Sequence, residues 1–581
     1  MHITILKRSQ DSSFNPGGWL DPPSPYHPAN TSRLALHVYP KYNFYLTTEE
    51  TGIFIVDTPV SAQGGFGSVF KNRTFDPDHS HSESIPLTEL RLTVYNGRRK
   101  LVDHARVPVN VSGFEVSFNI SDVSSAEGQY GKGQFYAMAN SPDGIQTFQS
   151  QTTVQVLHPR NDSGSMARLD RLTGGIQVRS SLTNNSWKAI FPMSFYTRWD
   201  WVSWVVDPEH NPIPPNLASN QTKNLAEFRK RGYNLIHPVP PGGWASFDNE
   251  LFEKFLTECD KLELYVMYDM RHTYLNLSSI SYQLPRLQKH PSLLLYYTGD
   301  EPDGWTDPLN GTKLAYDRIR SIDPYHPVSL VLNCYNFYFR EYTSGADIIL
   351  EDAYNLIKSS TFSTVYNTPC NRTYGDCGCD FCHKDDPAYP EYVENPWLDI
   401  VDRTDKMYAY QQWTNSLFQK PVWGVPQWFY DADSFWERWA TGQEALVMAL
   451  LRINHGAMGV VAWLYPTSTE IENSTTELAK VLEREDITEL LVAAKRLRVV
   501  SPAEPLLDAS IWVGDTEVLI SIVWQANRVG NSSLLELPVG IEGVETLLGA
   551  EGWSVGQNRT LRKEEKLPFE VSVLKARIVD H

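Results

Sequence analysis

The residues best suited to chemistry lie in the run TGDEPDG, which follows the apolar residues LLLYY. The apolar run predicts a buried strand, and Pro302 ends strand pairing where a loop begins. Glu301 is therefore expected at a strand end, where a carboxylic acid can donate a proton to a leaving oxygen. An ionised Asp300 would raise the pKa of Glu301 by like-charge repulsion, as a general acid working near neutral pH requires. The alternative is an acidic turn, because Gly, Asp and Pro all favour turns.

A second pair of carboxylates ends another apolar segment, in the run DIILEDAYN. Side chains alternate along a strand, so only one of Glu351 and Asp352 can point toward the same site as Glu301. We expect that residue to be Asp352, with Glu351 as the alternative. Either carboxylate could instead cap a helix or form a salt bridge to the wall of the fold.

Eight apolar segments predicted as strands alternate with predicted helices up to about residue 500. The strand segments are KAIFPMSFYTRW, YNLIHPV, LELYVMYDMRH, SLLLYYTGDEP, PVSLVLNCYN, DIILEDAYN, PVWGVPQWFY and MGVVAWLYP. Helical segments such as NELFEKFLTECDKL carry apolar residues three and four positions apart. Such units need a parallel sheet covered by helices, and eight of them predict a closed (β/α)8 barrel. A doubly wound open sheet is the rival, but no Gly-rich dinucleotide fingerprint follows any strand.

Short alternating segments flank the barrel, from about residue 33 to 157 and again beyond residue 500. Alternation between Gly, Pro, Asn and Asp turns predicts antiparallel β-sandwiches. The chain of 581 residues is also too long for one hydrophobic core. The predicted α/β architecture is an N-terminal β-sandwich (1–158), a catalytic (β/α)8 TIM barrel (159–500) and a C-terminal β-sandwich (501–581).

The ends of the predicted barrel strands are rich in carboxylates, histidines and aromatic residues. The loops after these ends converge on one face of a barrel, where its site forms. Aromatic rings there could stack on sugar rings, and histidines could bind hydroxyl groups. The candidate substrate-binding residues are Trp199, His237, Asp269, His272, Tyr354, Gln427, Trp428 and Trp463. Each could instead be a packing residue, and the histidines are too scattered to specify a metal site.

Four short runs in residues 187–467 resemble barrel glycosidases related to clan A: GDEP, Asp-x-Tyr, VPQWF and HGAMGVVAW. The resemblance implies that Glu301 is the acid/base at the fourth strand, with Asp300 where that clan usually carries Asn. The sequence departs from the clan at the seventh strand. Gln427 occupies the run that usually supplies a nucleophilic Glu, and no carboxylate follows before Asp431.

The adjacent Asp300 and Glu301 also resemble the pair found in substrate-assisted β-N-acetylhexosaminidases. In that family the Asp orients the 2-acetamido group of the substrate, which is itself the nucleophile, and the Glu is the acid/base. The resemblance implies that the pair could work without a further carboxylate.

The sequence thus predicts a hydrolase that removes sugars from a polysaccharide or glycan without a cofactor. Glycosidic bond cleavage needs one carboxylic acid for the leaving oxygen and a second carboxylate as nucleophile or base. Glu301 would be the acid, and Asp352 or Glu351 the second carboxylate. Exo action is favoured, because long loops after the first, sixth and seventh strands could enclose a pocket. A sugar-binding protein that has lost activity is the non-enzymatic alternative, since a fold does not fix function.

Charge and sequons indicate the partners and the compartment. The formal charge of -18 and the pI of about 5.3 argue against nucleic acids or an anionic membrane as partners. Thirteen Asn-x-Ser/Thr sequons occur where about four would arise by chance, which predicts a secreted, N-glycosylated protein. No apolar run is long enough to span a bilayer. No signal peptide is visible, so we expect that a leader was removed or never included.

Cysteines are concentrated in the run TPCNRTYGDCGCDFCHKDD. Close Cys spacing with His383 nearby could imitate a zinc knuckle. In a secreted chain we expect disulfides that staple a long loop instead, and the pairing cannot be read from the spacing.

Overall fold

The computed structural model describes residues 27–75, 84–124, 132–213, 224–247, 249–305, 307–333, 337–356, 362–363, 368–369, 395–414, 416–432, 436–557 and 559–579. Predictions for several residues lie outside these ranges: Cys334, Cys370, Cys377, Cys379, Cys382, His383, Asn220, Asn371 and Asn558. Within the described ranges, Cys259 is a buried free thiol.

The N-terminal part is built from short, mostly antiparallel strands around a core of its own. The strands are β1 (His27–Leu34), β2 (His37–Pro40), β3 (Tyr45–Leu46), β4 (Thr51–Asp57), β5 (Val60–Gly64), β6 (Ser68–Val69), β7 (Thr74–Phe75), β8 (Ser84–Ile85), β9 (Glu89–Asn96), β10 (Arg99–Pro108), β11 (Phe114–Asn119), β12 (Lys132–Asn140) and β13 (Thr147–Leu157), with one short helix, α1 (Ile120–Ser124). The larger sheets have the orders β10-β9-β12-β13-β3 and β11-β4-β2. Alternation puts Val116 and Phe118 of β11 into the core and the residues between them outside.

A small antiparallel sheet joins this part to the barrel. It consists of β14 (Met166–Leu169), β15 (Ile176–Arg179) and β16 (Lys188–Ile190), with a short 3-10 helix at Ser181–Thr183 between β15 and β16. Its apolar residues belong to the hydrophobic cluster of the barrel, so this sheet packs as part of the central body.

Eight parallel strands close into a barrel, as the sequence predicted. The strands are β17 (Met193–Arg198), β18 (Leu235–Val239), β19 (Tyr265–Asp269), β20 (Leu293–Asp300), β21 (Val328–Leu332), β22 (Ile348–Glu351), β25 (Val422–Gly424) and β26 (Val460–Tyr465), with a small hairpin, β23 (Phe362–Ser363) and β24 (Thr368–Pro369), after β22. Each barrel strand pairs with the next, and β26 pairs with β17 to complete the ring. Nearly every residue in these strands is buried, because helices cover the outside of the ring.

Helices lie between and after the barrel strands. They are α2 (Trp199–Val206), α3 (Leu225–Lys230), α4 (Asn249–Leu262), α5 (Leu277–Leu287), α6 (Pro302–Trp305), α7 (Gly311–Ile322), α8 (Phe339–Thr343), α9 (Leu398–Trp413), α10 (Gly442–Asn454), α11 (Thr469–Glu483) and α12 (Glu485–Ala493). In α4, Phe252, Phe255 and Cys259 recur on one face and are fully buried. No helix in the described ranges is both long and apolar enough to cross a membrane.

The C-terminal part is a second antiparallel unit. It contains β27 (Lys495–Val499), β28 (Leu507–Val513), β29 (Glu517–Trp524), β30 (Ser533–Glu536), β31 (Ile541–Gly549), β32 (Ser554–Val555), β33 (Thr560–Lys563) and β34 (Val571–Ile578). A sheet of order β27-β28-β29-β34-β31 and a sheet of order β30-β33-β32 share one core. Its first strand begins at Lys495, a few residues before the boundary expected from the sequence.

Candidate active site

Glu301 follows β20 directly, at the C-terminal mouth of the barrel. Its backbone has a φ of 52°, in the left-handed region that a residue with a side chain rarely adopts. The Glu301 amide donates to the Val331 carbonyl at 3.2 Å, and Asn333 Nδ2 donates to Glu301 Oε1 at 3.4 Å. Non-glycine residues in the left-handed region are strained and persist only where the surrounding structure enforces them. Such residues cluster at functional sites.

Asp352 follows β22 and is hydrogen-bonded to the Glu301 carboxyl group. Burial, the charge of Glu301 and this hydrogen bond raise the pKa of Asp352 well above its ordinary value, and the nearby Arg403 only partly opposes them. Asp352 Oδ1 is buried and accepts no hydrogen bond from the described residues. The two carboxyl groups therefore behave as one pair that retains a proton at pH values where a free aspartate is ionised.

Glu351 points away from this pair. Its carboxylate accepts from Arg452 Nε at 2.7 Å, and both side chains are almost completely buried. Glu351 also accepts from the Ala353 amide at 2.7 Å. The adjacent residues thus face opposite ways, as strand alternation requires, and Glu351 forms the salt bridge to the barrel wall that the sequence left open as an alternative.

Asp300 accepts hydrogen bonds from two donors, one just after the neighbouring strand β19 and one on its own strand β20. Arg271 Nη1 donates to Asp300 Oδ2 at 2.7 Å, and the Tyr297 hydroxyl donates to Asp300 Oδ1 at 2.5 Å. Asp300 was expected to act on Glu301 through its negative charge. Instead, Arg271 compensates that charge, and the carboxyl group that contacts Glu301 is Asp352.

His237 and Asp269 form a buried support beneath Arg271. His237 Nε2 lies 2.9 Å from Asp269 Oδ2, which also accepts from Arg271 Nε at 2.7 Å. Burial acts to raise the pKa of Asp269, but Arg271 and His237 outweigh it and hold that pKa below its usual value. Burial lowers the pKa of His237, although its bond to Asp269 opposes the shift. Both side chains are 0% exposed and contact each other, and Asp269 also pairs with Arg271. Direct contact of His237 and Asp269 with substrate stays a prediction.

Two aromatic residues of the predicted set remain at the mouth. Trp463, near the end of β26, is partly exposed and lies against Tyr196, with the Arg271 guanidinium 5.4 Å from its ring centre. Tyr354 is partly exposed beside Asp352, and burial followed by the charges of Asp352 and Glu301 raises its pKa well above the usual value. Contact of these two rings with a ligand stays a prediction.

The other predicted binding residues have structural partners, apart from His272. Trp199 packs on Phe252 and Phe255 of α4. Trp428 is fully buried and donates from Nε1 to the Ala445 carbonyl at 3.1 Å. Gln427 is fully buried and bonds both backbone groups of Leu356. In the structure Trp199, Gln427 and Trp428 thus make packing or loop contacts, and their contact with substrate stays a prediction. His272 is exposed near the mouth.

Sequence reasoning missed several residues that shape the site. Asn333 follows the fifth strand and could have been found by the same strand-end argument as Glu301. Tyr297 and Tyr196 lie within apolar strands, where aromatic residues normally indicate packing. Arg403 lies on α9, donates from Nη1 to the Asn333 carbonyl at 2.8 Å, and gives no sequence signal. Among the described residues, no group of three His, Cys, Asp or Glu side chains is arranged to hold a metal ion.

The fold and the site define a (β/α)8-barrel protein with a carboxyl pair at the C-terminal ends of its strands. No protein-family model matches the sequence. No curated protein matches it either. Similar solved structures include an α-galactosidase candidate from Bacteroides fragilis (10% identity, 95% of this chain and 99% of that chain, TM-score 0.40). An α-amylase from Anoxybacillus is 9% identical, with 67% of this chain and 98% of that chain covered and a TM-score of 0.39. A family 30 xylanase from Clostridium acetobutylicum is 10% identical, with 67% of this chain and 96% of that chain covered and a TM-score of 0.38. Likeness at this level assigns no activity to the chain.

Proposed function

We propose that this protein is a glycoside hydrolase in which Glu301 protonates the leaving sugar and Asp352 is its hydrogen-bonded partner. The observation that carries the proposal is the contact between these two carboxyl groups at the barrel mouth. Acid catalysis of glycoside cleavage needs a carboxyl group that keeps its proton near neutral pH, and a coupled pair meets that need.

The pair supplies one proton and recovers it. In the resting pair Asp352 carries the proton and Glu301 accepts its hydrogen bond, because burial raises the pKa of Asp352. During cleavage the proton passes through Glu301 to the glycosidic oxygen as the bond to the anomeric carbon breaks. The pair is then doubly negative, and the positive charge developing on the sugar ring offsets the repulsion. A water molecule adds to the anomeric carbon, and its proton returns to the pair.

The spacing of the pair favours a second version of the mechanism. Two-carboxylate glycosidases hold their groups about 5–5.5 Å or 6.5–9.5 Å apart, which leaves room for the sugar or a water molecule. A hydrogen-bonding contact between Glu301 and Asp352 is closer than either of these separations. Asp352 Oδ1, which is buried without a partner, could accept the N–H of a 2-acetamido group whose oxygen attacks the anomeric carbon. Asp352 would then have the role that sequence resemblance gave to Asp300.

The surroundings of the pair suit a sugar. Trp463 and Tyr354 present ring surface at the mouth, and sugars bind to such surfaces through their C–H faces. Arg271 Nη2 is buried without a partner in the described residues and could donate to a sugar oxygen. A polysaccharide or glycan cleaved from its end remains the substrate class we propose.

We also propose that the protein is secreted and N-glycosylated. All ten sequon asparagines in the described residues are exposed, whereas Asn43, Asn234, Asn355, Asn395 and Asn454, which lie outside sequons, are buried. Glycan transfer would join Asn Nδ2 to the anomeric carbon of a lipid-linked oligosaccharide, break the sugar–phosphate bond, and release the lipid pyrophosphate and one proton. A folded chain can carry such a bulky group only where the asparagine reaches solvent.

The deciding experiment measures sugar release from a panel of aryl glycosides and polysaccharides, including 2-acetamido sugars. Wild type is compared with Glu301→Gln and with Glu258→Gln, a carboxylate on the outer helix α4 that pairs with Lys261. Activity in wild type and the Glu258 variant, with loss in the Glu301 variant, supports the proposal. Cleavage restricted to 2-acetamido sugars selects the substrate-assisted version. Sugar binding without release by wild type would replace the proposal with the non-enzymatic alternative.

A further inference from the structure

A group of leucines is exposed on the outside of the barrel near its mouth. Leu275 and Leu309 lie two residues before α5 and α7, and Leu277 and Leu314 lie in the first turns of these helices. They are 48%, 36%, 39% and 47% exposed, respectively. Helices of a (β/α)8 barrel begin at the end where the site lies, so this leucine patch borders the mouth.

Contacts between α5 and α7 bring together the two segments that carry these leucines. Gly311 has no side chain, and a Cβ there would lie 2.6 Å from Leu275 Cδ2, so the start of α7 packs directly on Leu275. Arg318 Nε of α7 donates to Ser281 Oγ of α5 at 2.7 Å. Leu314 lies one helical turn before Arg318, and Leu277 lies one turn before Ser281. The two leucines are therefore close to each other on the adjoining helices α7 and α5.

The Tyr274 hydroxyl also donates to Asp307, which ties the loop before Leu275 to the loop before Leu309. Single exposed leucines are ordinary on protein surfaces, but a contiguous apolar patch usually has an occupant.

Two sequons lie inside this patch. Asn276 stands between Leu275 and Leu277, and Asn310 stands between Leu309 and Gly311. Asn276 caps α5 through Oδ1, which accepts from the Ser278 and Ser279 amides, so its Nδ2 stays available for a glycan. Asn310 is exposed and makes no side-chain cap bond to α7. A glycan on either asparagine would start within contact distance of the exposed leucines.

We propose that N-linked glycans on Asn276 and Asn310 cover the leucine patch. The first sugars of each glycan would lay their C–H faces on the leucine side chains and so remove apolar surface from water. The inference rests on the proposed glycosylation and is independent of the proposed hydrolase activity. The occupant is part of the mature protein, not a separate partner.

The test uses the full chain secreted from a eukaryotic host, with glycan occupancy at each sequon measured by mass spectrometry. Ser278→Ala removes the first sequon and keeps the Asn276 cap. Asn310→Gln removes the second, and it spares Thr312, whose hydroxyl donates to the Tyr342 carbonyl. The control pair is Asn119→Gln with Asn473→Gln, two exposed sequons on β11 and α11. Readouts are the fluorescence of an apolar-surface dye and molecular mass by light scattering.

We expect the Ser278→Ala/Asn310→Gln protein to bind about twofold more dye than the control pair and to self-associate. Adding Leu277→Ser and Leu314→Ser to that protein should reverse both changes, because the patch itself is then gone. Unoccupied sequons at Asn276 and Asn310 in wild type would overturn the inference, as would equal dye binding in the two pairs. A wild-type dimer that these leucine changes dissociate would instead assign the patch to a second copy. Sugar release measured in parallel reports separately on the hydrolase proposal.

Discussion

The carboxyl groups of Glu301 and Asp352 are hydrogen-bonded to each other although they follow different strands, β20 and β22, with β21 between them. The backbone of Glu301 turns into the left-handed region immediately after its strand, and Asp352 is the member of its Asp-Glu pair that faces the mouth. Asn333, from the loop after β21, donates to Glu301 between them. Three consecutive strand ends thus converge on one proton-holding pair.

The pH dependence of sugar release should report the titration of this pair. The pKa of Asp352 is raised, so the pair keeps its proton below that pKa and loses it as pH rises through it. We therefore expect kcat/KM of wild type to fall on the alkaline side. Asp352→Asn cannot supply that proton, and its kcat should drop about 10²- to 10⁴-fold with a displaced alkaline limb. An unchanged alkaline limb in Asp352→Asn would contradict the assignment of the titration to this pair.

The same variant should stabilise the protein. A free aspartate ionises near pH 3.9, whereas folded Asp352 keeps its proton to a higher pH. The folded state then binds more protons than the unfolded state above pH 3.9, so this group's contribution to stability falls as pH rises toward the folded pKa. Asp352→Asn should raise the thermal midpoint relative to wild type at pH 7 and less so at pH 4. A difference in thermal midpoint that does not change with pH would contradict the raised pKa of folded Asp352.

The Glu351–Arg452 ion pair should contribute to the free energy of unfolding but should not affect the proton shared by Glu301 and Asp352. Both side chains are almost fully buried, so Glu351→Gln leaves an uncompensated Arg452 and should cost about 3–5 kcal/mol. Replacing both, as Glu351→Gln with Arg452→Met, should cost less than either single change. Urea unfolding measures these effects, and the exposed pair Glu258 and Lys261 is the matched control, where little change is expected. A double-variant cost equal to the sum of the two single-variant costs would show that the two residues are not coupled.

The sequence predicted the barrel because apolar patterns typical of strands and of helices alternate along the chain. Each pattern can be recognised within one short segment, without knowledge of distant residues. It located Glu301 and Asp352 at strand ends for the same reason. It favoured Asp352 over Glu351 but could not exclude Glu351, because the position of Glu351 depends on Arg452, 101 positions away. It also could not separate Trp428 from Trp463: both follow similar apolar residues, but closure of the barrel buries one against α10 and leaves the other at the mouth.

His455, which lies where the barrel contacts the C-terminal sheets, should make the stability of the protein depend on pH. Its Nδ1 lies 2.7 Å from Asp405, and its Nε2 lies 3.0 Å from Asp508 of β28. Burial acts to lower the pKa of His455, but these carboxylates outweigh it and the opposing charge of Arg498, so the pKa is raised.

A raised histidine pKa contributes stability that is fully present below the unfolded value of about 6.5 and is lost as pH rises through the folded pKa. His455→Gln should therefore lower the thermal midpoint more at pH 5.5 than at pH 9. The exposed His272, changed to Gln, is the control and should show no such difference. A larger effect of His455→Gln at pH 9 would contradict the charged state assigned to this ring.

Substitution of Trp463 should weaken substrate binding, whereas substitution of Trp428 should destabilise the fold. Trp463 is partly exposed beside Tyr196 at the mouth, so Trp463→Ala should raise KM about tenfold through lost ring contact, with little loss of stability. Trp428 is fully buried, and Trp428→Ala should cost about 3–5 kcal/mol by leaving a cavity. Steady-state kinetics and urea unfolding of both variants check the contrast. If Trp463→Ala left KM unchanged and destabilised the fold as much as Trp428→Ala, the ring would be a packing residue, and the sugar would have to bind against Tyr354.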